Sequence, residues 1–145
     1  MDFALLQIPV IRETEIRSSV VLFFAAFKLA YEAGGVHVTR MFDLALDTVR
    51  NRALREDLQK GRTALAGHQG FGEAFGTVAF LDDDIKGSIG SGALAGQLDR
   101  SLESVVQTAT SELEVTLTMF NNIFQRLVAL TVAMAIVETV YLCIL

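Results

Sequence analysis

The sequence contains very little cysteine or proline and no tryptophan. Cys143 is the one cysteine among 145 residues, and Pro9 is the one proline. A single cysteine excludes a disulfide within the chain and a thiolate metal cluster, and it fits a reducing compartment. The first residues also lack the basic start and the long apolar run of a signal peptide.

Positive charge is scarce as well. The chain has 17 acidic and 12 basic residues and a net charge of −5. Its Lys and Arg residues do not form a stripe with interleaved aromatic residues, which is the usual pattern of a nucleic-acid-binding surface. We therefore expect no nucleic-acid partner.

The patterns of common catalytic and metal sites are missing. His37 and His68 are far apart in sequence and neither lies in an H-x-x-x-H or H-E-x-x-H pattern, so no zinc site is expected. No G-x-S-x-G elbow occurs, and Cys143 has no plausible histidine partner. The run Asp82 to Asp84 lacks the terminal Glu of a cation-binding loop, which favours helix capping. The sequence predicts a protein that is not an enzyme and has no cofactor or metal.

Apolar residues, in contrast, are abundant, at 52% of the chain. The segment Leu127–Leu145, "LVALTVAMAIVETVYLCIL", has Glu138 as its only charge. At about 1.5 Å rise per residue it is nearly as long as the bilayer core of about 30 Å, so it predicts a transmembrane helix. Arg126 precedes it and nothing basic follows, which predicts a cytoplasmic main domain and a C-terminus outside. The alternative is a buried core helix.

The rest of the chain has helical periodicity. The apolar run Val20–Phe27 is too short to span a bilayer, so it predicts an amphipathic core helix, ended by Gly34 and Gly35. Thr39 is the expected cap of the next helix. The predicted apolar positions of this helix are Met41, Leu44, Ala45, Thr48 and Val49, those of the third are Ala53, Leu54, Leu58 and Leu65, and those of the last are Leu98, Leu102, Val105, Val106, Ala109 and Leu113.

These patterns together predict an all-α fold. We expect a bundle of about six short antiparallel helices followed by one C-terminal transmembrane helix. The predicted domains are a cytoplasmic helical-bundle domain at 1–122 and the transmembrane helix at 123–145.

Three glycines precede the last helix, in the stretch "IGSGALAGQLDRSLESVV". Gly90, Gly92 and Gly96 are spaced G-x-G-x-x-x-G, which matches neither the dinucleotide pattern nor the P-loop pattern. The preceding "FLDDDIKGS" is acidic and not strand-like, whereas a phosphate loop follows a buried strand. The stretch therefore predicts a turn between two closely crossing helices.

The same turn resembles that of the inner-membrane platform proteins of type II secretion and type IV pilus systems, the secretion F-domain family. The family pattern is G-E-x-[ST]-G-x-L-x-x-x-L, and four residues match it: Gly92, Gly96, Leu98 and Leu102. Gly92, Gly96 and Leu98 are therefore candidate structural residues of the turn.

Further stretches resemble the family in the same order along the chain. They are "DFALLQIPVI" with Asp2, Leu6, Pro9 and Val10, "LFFAAFKLAYEAGGVHVTRMFDLAL", "NRALREDLQKGRTAL", "GFGEAF" and "YLCIL". The chain departs from the family pattern at Phe71, Gly72, Ala93, Ala95 and Cys143.

The resemblance implies a location and a role. Members usually carry two such cytoplasmic domains and three membrane helices, and this chain resembles the second domain with the last helix. It implies a bacterial inner-membrane protein with a cytoplasmic main domain and a periplasmic C-terminus. It also implies a non-enzymatic, self-associating platform subunit that works with other inner-membrane assembly proteins and couples a cytoplasmic assembly ATPase to the movement of pilins or pseudopilins.

Two further classes of function remain open from the sequence. One is a tail-anchored membrane interaction module unrelated to secretion. The other is a membrane-bound enzyme that uses the glycine turn for a nucleotide.

Two sets of charged residues are candidate functional groups. The third predicted helix carries Arg52, Arg55, Glu56 and Lys60, which are candidates for contact with the ATPase or another partner; the alternative is a solvated helix face. Glu138 is a carboxylate within the predicted membrane span, where charge is costly and often functional. The alternative interpretation is that the helix is tilted and Glu138 reaches the membrane–water interface on the outer side.

Overall fold

The computed structural model describes the backbone of residues 3–145 and the side chains from Arg12 onward. In this part of the chain there are six helices and no strands, with 83% of the chain helical, so the predicted all-α fold is confirmed. The family matches at Asp2, Leu6, Pro9 and Val10 lie outside the described side chains. The helices are α1 (Phe3–Ala33), α2 (Val38–Leu46), α3 (Arg52–Ala66), α4 (Phe71–Gly76), α5 (Asp83–Leu94) and α6 (Leu98–Ile144).

Two helices are longer than the short elements expected. α1 has 31 residues and α6 has 47. The sequence contains no Gly or Pro between Leu98 and Ile144, so nothing in that stretch favours a break in the helical hydrogen bonds. The last helix of the bundle and the predicted transmembrane helix are therefore one continuous helix.

The ends of α1 and the start of α2 show how local chemistry sets the helix boundaries. α1 ends at Ala33, as predicted, before Gly34 and Gly35, whose φ angles of 66° and 72° are in the left-handed region. The residue that caps α2 is His37, whose Nδ1 accepts a hydrogen bond from the Thr39 backbone N–H at 3.4 Å. The predicted cap at Thr39 is wrong because Thr39 already lies within α2.

Five phenylalanine rings form the centre of the core. Phe23, Phe24 and Phe27 come from α1, Phe42 from α2 and Phe75 from α4, and all five are fully buried. Their ring centroids lie between 5.0 and 6.4 Å apart in the contacting pairs. Burying each ring stabilises the fold by about 1.5–3 kcal/mol. This cluster therefore holds α1, α2 and α4 together.

Aliphatic residues extend this core along α3, α5 and α6. On α6 the predicted apolar face is confirmed, with Val106 and Leu113 only partly buried. On α3 the predicted Ala53 is exposed instead. The buried aliphatic side chains are Leu54 and Leu58 of α3, Ile85 and Ile89 of α5, and Leu98, Leu102, Val105 and Ala109 of α6.

On α2 the predicted apolar face is confirmed at Met41 and Ala45 but not at Leu44. Leu44, which was expected in the core, is exposed, and Phe42 is fully buried. The physical reason is the aromatic cluster, because turning Phe42 inward brings its neighbours on the same side of the helix with it. The buried residues of α2 are Met41, Phe42, Ala45 and Leu46.

The chain divides into two compact units, Met1–Leu113 and Glu114–Leu145. The first unit contains α1 to α5, the first part of α6 and the buried core. The second unit is the remainder of α6, whose side chains are almost all exposed. The predicted domain boundary at residues 122/123 rests on hydropathy rather than on contacts, and it stays a prediction.

Candidate functional site

The glycine stretch forms the connection between α5 and α6. The Gln97 N–H donates to the Gly92 carbonyl at 2.8 Å, and the Gly96 N–H donates to the Ala93 carbonyl at 3.3 Å. These two bonds, with Gly96 at a φ of 70°, form a Schellman motif that satisfies the last carbonyls of α5. Leu98, the first residue of α6, is buried.

Gly90 and Gly92 lie where two helices approach closely. A Cβ atom at Gly92 would be 1.7 Å from the Ser101 Oγ and 2.5 Å from the Ser101 Cβ. A Cβ atom at Gly72 of α4 would be 3.0 Å from the Gly90 Cα. These glycines therefore have a packing role. Because they lack a side chain, α4 and α6 can lie close to α5.

Each of the four candidate contact residues of α3 makes an ion pair within the described part of the chain, and their role in partner contact stays a prediction. Arg52 pairs with Glu56 at 2.8 Å, one helical turn away. Lys60 pairs with Asp57 at 2.9 Å, and Arg55 pairs at 3.3 Å with Asp47, which follows α2.

Arg55 also lines a cleft between α2 and α3. We call this the arginine cleft, and it has a volume of about 430 Å³. The Arg62 guanidinium donates two hydrogen bonds to the Asp43 carboxylate, one of them at 3.0 Å to Oδ2. The residues that define the cleft are Arg40, Asp43, Asp47, Arg55 and Arg62.

The charges in the arginine cleft shift one another's pKa values. The hydrogen bond from Arg62 lowers the pKa of the Asp43 carboxyl, and the nearby charge of Arg40 lowers it further. The hydrogen bond to Asp43 in turn raises the pKa of Arg62. Sequence reasoning missed Arg40, Asp43 and Arg62, because only the packing of α2 on α3 brings them together. The available signal was the density of arginine between residues 40 and 62.

Asp57 of α3 is a second charged residue that sequence reasoning missed. It is only 4% exposed, and its Oδ2 accepts a hydrogen bond from the Phe80 N–H at 2.9 Å. Burial alone raises the pKa of the carboxyl, but hydrogen bonds from Lys60 and the Phe80 amide outweigh burial and lower it. Asp57 therefore fastens the α4–α5 connection to α3.

Another cleft lies between the described part of α1, the start of α5 and α6 within the first unit. It has a volume of about 440 Å³ and an apolar lining that includes Ile16, Val20 and Ile85. At its rim Arg17 contacts both Glu13 and Glu112 at 3.0 Å. These three charged side chains at the rim of this cleft are therefore joined by ion pairs.

The second unit carries the candidate membrane segment. Among the described residues, α6 is the one helix long and apolar enough to cross a membrane. The hydroxyls of Thr131 and Thr139 donate to the carbonyls of Leu127 and Ala135, at 2.9 and 2.7 Å. Such internal hydrogen bonds satisfy polar groups that lipid cannot. The chain is therefore a helical bundle with a candidate transmembrane helix.

Glu138 has no hydrogen bond and no ion pair to any residue that the structure describes, and it is exposed.

The two histidines are exposed as well, with His37 capping α2 and His68 following α3 at a φ of 66°. Within residues 3–145 no three His, Cys, Asp or Glu side chains are grouped as metal ligands would be. Asp82 is the N-cap residue of α5 but its side chain makes no capping hydrogen bond.

Comparisons of the chain with protein-family models, with curated proteins and with solved structures found no match. The resemblance of the sequence to the platform proteins therefore stays a prediction.

Proposed function

We propose that this chain is an inner-membrane platform subunit of a type II secretion or type IV pilus machine. In this role it couples a cytoplasmic assembly ATPase to the movement of pilins or pseudopilins. The observation that supports the proposal most is the continuity of α6 from Leu98, a core residue of the bundle, to Ile144 in the apolar segment.

A continuous helix suits such a coupling role for a mechanical reason. α6 has its buried face at Leu98, Leu102, Val105 and Ala109, and its apolar segment follows without a Gly or Pro. Helices without these residues resist sharp kinks. A force that a partner applies to the bundle then reaches the membrane segment through one element. The sequence contains no nucleotide-binding motif, so the ATPase partner supplies the energy.

Co-purification with the ATPase tests the proposal. The detergent-solubilised full chain is incubated with the secretion or pilus ATPase encoded in the same genome, and the recovered ATPase is measured. We expect specific recovery that Gly96→Glu abolishes, because position 96 requires a positive φ. The matched control is Ala95→Glu, which adds the same charge at the neighbouring exposed position with a φ of −81° and should keep the recovery.

The outcomes separate the two main classes of function. Recovery of ATPase by the wild type and by Ala95→Glu, but not by Gly96→Glu, supports the platform role. Failure of a folded, membrane-inserted chain to recover any ATPase contradicts it. That result would favour the tail-anchored interaction module.

The proposed topology has its own test in the single cysteine. Cys143 is exposed near the end of α6. If the main domain is cytoplasmic and the C-terminus periplasmic, a membrane-impermeant maleimide should label Cys143 in intact spheroplasts. Labelling only after lysis would contradict this orientation, and a Cys143→Ser variant controls for background.

A further inference from the structure

We infer that the arginine cleft between α2 and α3 is a docking surface for an acidic segment of a soluble protein partner. The inference rests on the proposed function in one respect, which is that the molecule bound in the cleft is a soluble protein. It concerns the chemistry of the surface, whichever machine the chain serves.

The first observation is the uneven distribution of positive charge. The chain has a net charge of −5, yet half of its 12 basic residues lie in the short stretch that forms α2, α3 and their connection. The same stretch holds four acidic residues, so its net charge is +2, and an acidic partner is attracted to it while the rest of the chain repels that partner. The basic residues of the stretch are Arg40, Arg50, Arg52, Arg55, Lys60 and Arg62.

The second observation is that hydrogen bonds hold two of the three arginines of the cleft, Arg55 and Arg62. Asp43 binds Arg62 through two hydrogen bonds, and Asp47 binds Arg55 through one at 3.3 Å. A guanidinium has five N–H donors, so both arginines keep donors for a ligand. Holding these side chains in advance reduces the entropy lost when a partner binds.

The third observation concerns Arg40. Its side chain is exposed beside Asp43 and Asp47 at the same cleft, and it has no ion pair within the part of the chain that the structure describes. Arg40 is therefore the guanidinium most available to a carboxylate of a partner. Planar guanidinium groups bind carboxylates with two parallel hydrogen bonds.

The composition of the cleft favours an acidic protein segment over an anionic membrane. Surfaces that bind anionic lipids are clusters of Lys and Arg with little negative charge between them. Here Asp43 and Asp47 alternate with the arginines. Arginine is also enriched over lysine at protein interfaces, and Lys60 points to Asp57 outside the cleft.

Binding of an acidic peptide tests the inference without any ATPase. The probe is a fluorescein-labelled peptide of alternating Glu and Asp, mixed with the detergent-solubilised full chain and followed by fluorescence anisotropy. We expect binding that weakens when the ionic strength rises from about 0.01 to about 0.15 M, because the Debye length falls from about 30 to about 8 Å.

Arg40→Glu should weaken the peptide affinity about tenfold or more, the effect of losing one well-placed charge pair. Arg40 makes no ion pair within the described residues, but its charge acts on Asp43, so circular dichroism of the variant should first match that of the wild type. The matched control is Arg100→Glu, which makes the same charge change at an exposed position in the first turn of α6 and should alter the affinity less than about twofold.

Three results would overturn the inference: no peptide binding at low ionic strength, equal binding by the wild type and Arg40→Glu, or equal losses in Arg40→Glu and Arg100→Glu. Stronger binding of glycerophosphoglycerol, a soluble phospholipid headgroup, than of the peptide would also overturn it and indicate a lipid contact. Peptide binding together with failed ATPase recovery would contradict the platform role and leave the docking surface intact.

Discussion

Asp57 is the residue whose role most depends on its surroundings. In the sequence it lies among the charges of α3, yet it is buried and accepts the Phe80 N–H and the Lys60 ammonium. Asp57→Ala should lower the free energy of unfolding by about 1–3 kcal/mol, because it removes the acceptor of the part-buried Phe80 N–H. Urea denaturation of the full chain in detergent measures this. Lys60→Ala, which removes only the exposed partner, should cost less than about 1 kcal/mol.

The same residue makes stability depend on pH. The pKa of Asp57 is lowered in the folded state, so the folded protein binds fewer protons than the unfolded chain. Its contribution is present above the unfolded pKa of about 3.9 and is lost as the pH falls through the lower folded pKa. The stability difference between wild type and Asp57→Asn should therefore shrink below about pH 4. A difference that stays constant down to about pH 2 would contradict this assignment.

Within the candidate membrane segment, Glu138 is the residue whose functional role can be tested most directly. If its carboxylate contacts a partner helix, Glu138→Leu should reduce self-associated chain or recovered ATPase several-fold while membrane insertion stays complete. Cross-linking in membranes and ATPase recovery measure these effects. Val137→Leu is the matched control at the neighbouring position. If Glu138→Leu behaves like Val137→Leu, Glu138 has no functional role.

At the scale of elements, the packing of α6 against α5 depends on the size of residue 92. Gly92→Ala should destabilise the fold by about 1–3 kcal/mol, because its Cβ would overlap the Ser101 side chain. Gly87→Ala is the matched control in the same helix. Nothing lies within 4 Å of its added Cβ, so it should stabilise the fold by about 0.5–1 kcal/mol. Thermal unfolding measures both variants.

A rescue experiment checks that the contact with Ser101 causes the effect. The double variant Gly92→Ala with Ser101→Gly removes the side chain that the new methyl group meets. The double variant should lose less stability than the sum of the losses measured for Gly92→Ala and Ser101→Gly separately. Strict additivity of the two single changes would show that Gly92 acts through something other than this contact.

Elements also show where sequence periodicity is a sufficient guide. On α6 the predicted positions Leu98, Leu102, Val105 and Ala109 are the buried ones. On α2 the same reasoning is right for Met41 and Ala45, but it also selected Leu44, which is exposed. α2 is a short helix of nine residues, and an aromatic side chain next to the predicted face decides which side turns inward.

At the scale of the whole molecule, the two compact units suggest where the chain can be cut. The last buried residue of α6 is Ala109, well before the predicted domain end at residue 122. A chain that ends after Asn122 should remain soluble without detergent, because it lacks the apolar segment Leu127–Leu145. Its unfolding midpoint should match that of a chain ending after Leu113 to within about 4 °C. A chain that folds only with residues 114–122 would place the boundary where hydropathy predicts it.

The sequence by itself determined the helical class, the end of α1, the buried face of α6 and the candidate membrane segment. These features depend on hydrogen bonds and apolar spacing within one stretch of chain, so neighbouring residues are sufficient to specify them. The tertiary structure alone decided the burial of Asp57, the burial of Phe42 rather than Leu44 on α2 and the assembly of Arg40, Arg55 and Arg62 into one cleft. Each of these requires side chains from separate segments to meet, and such meetings depend on how the helices pack around the five phenylalanines.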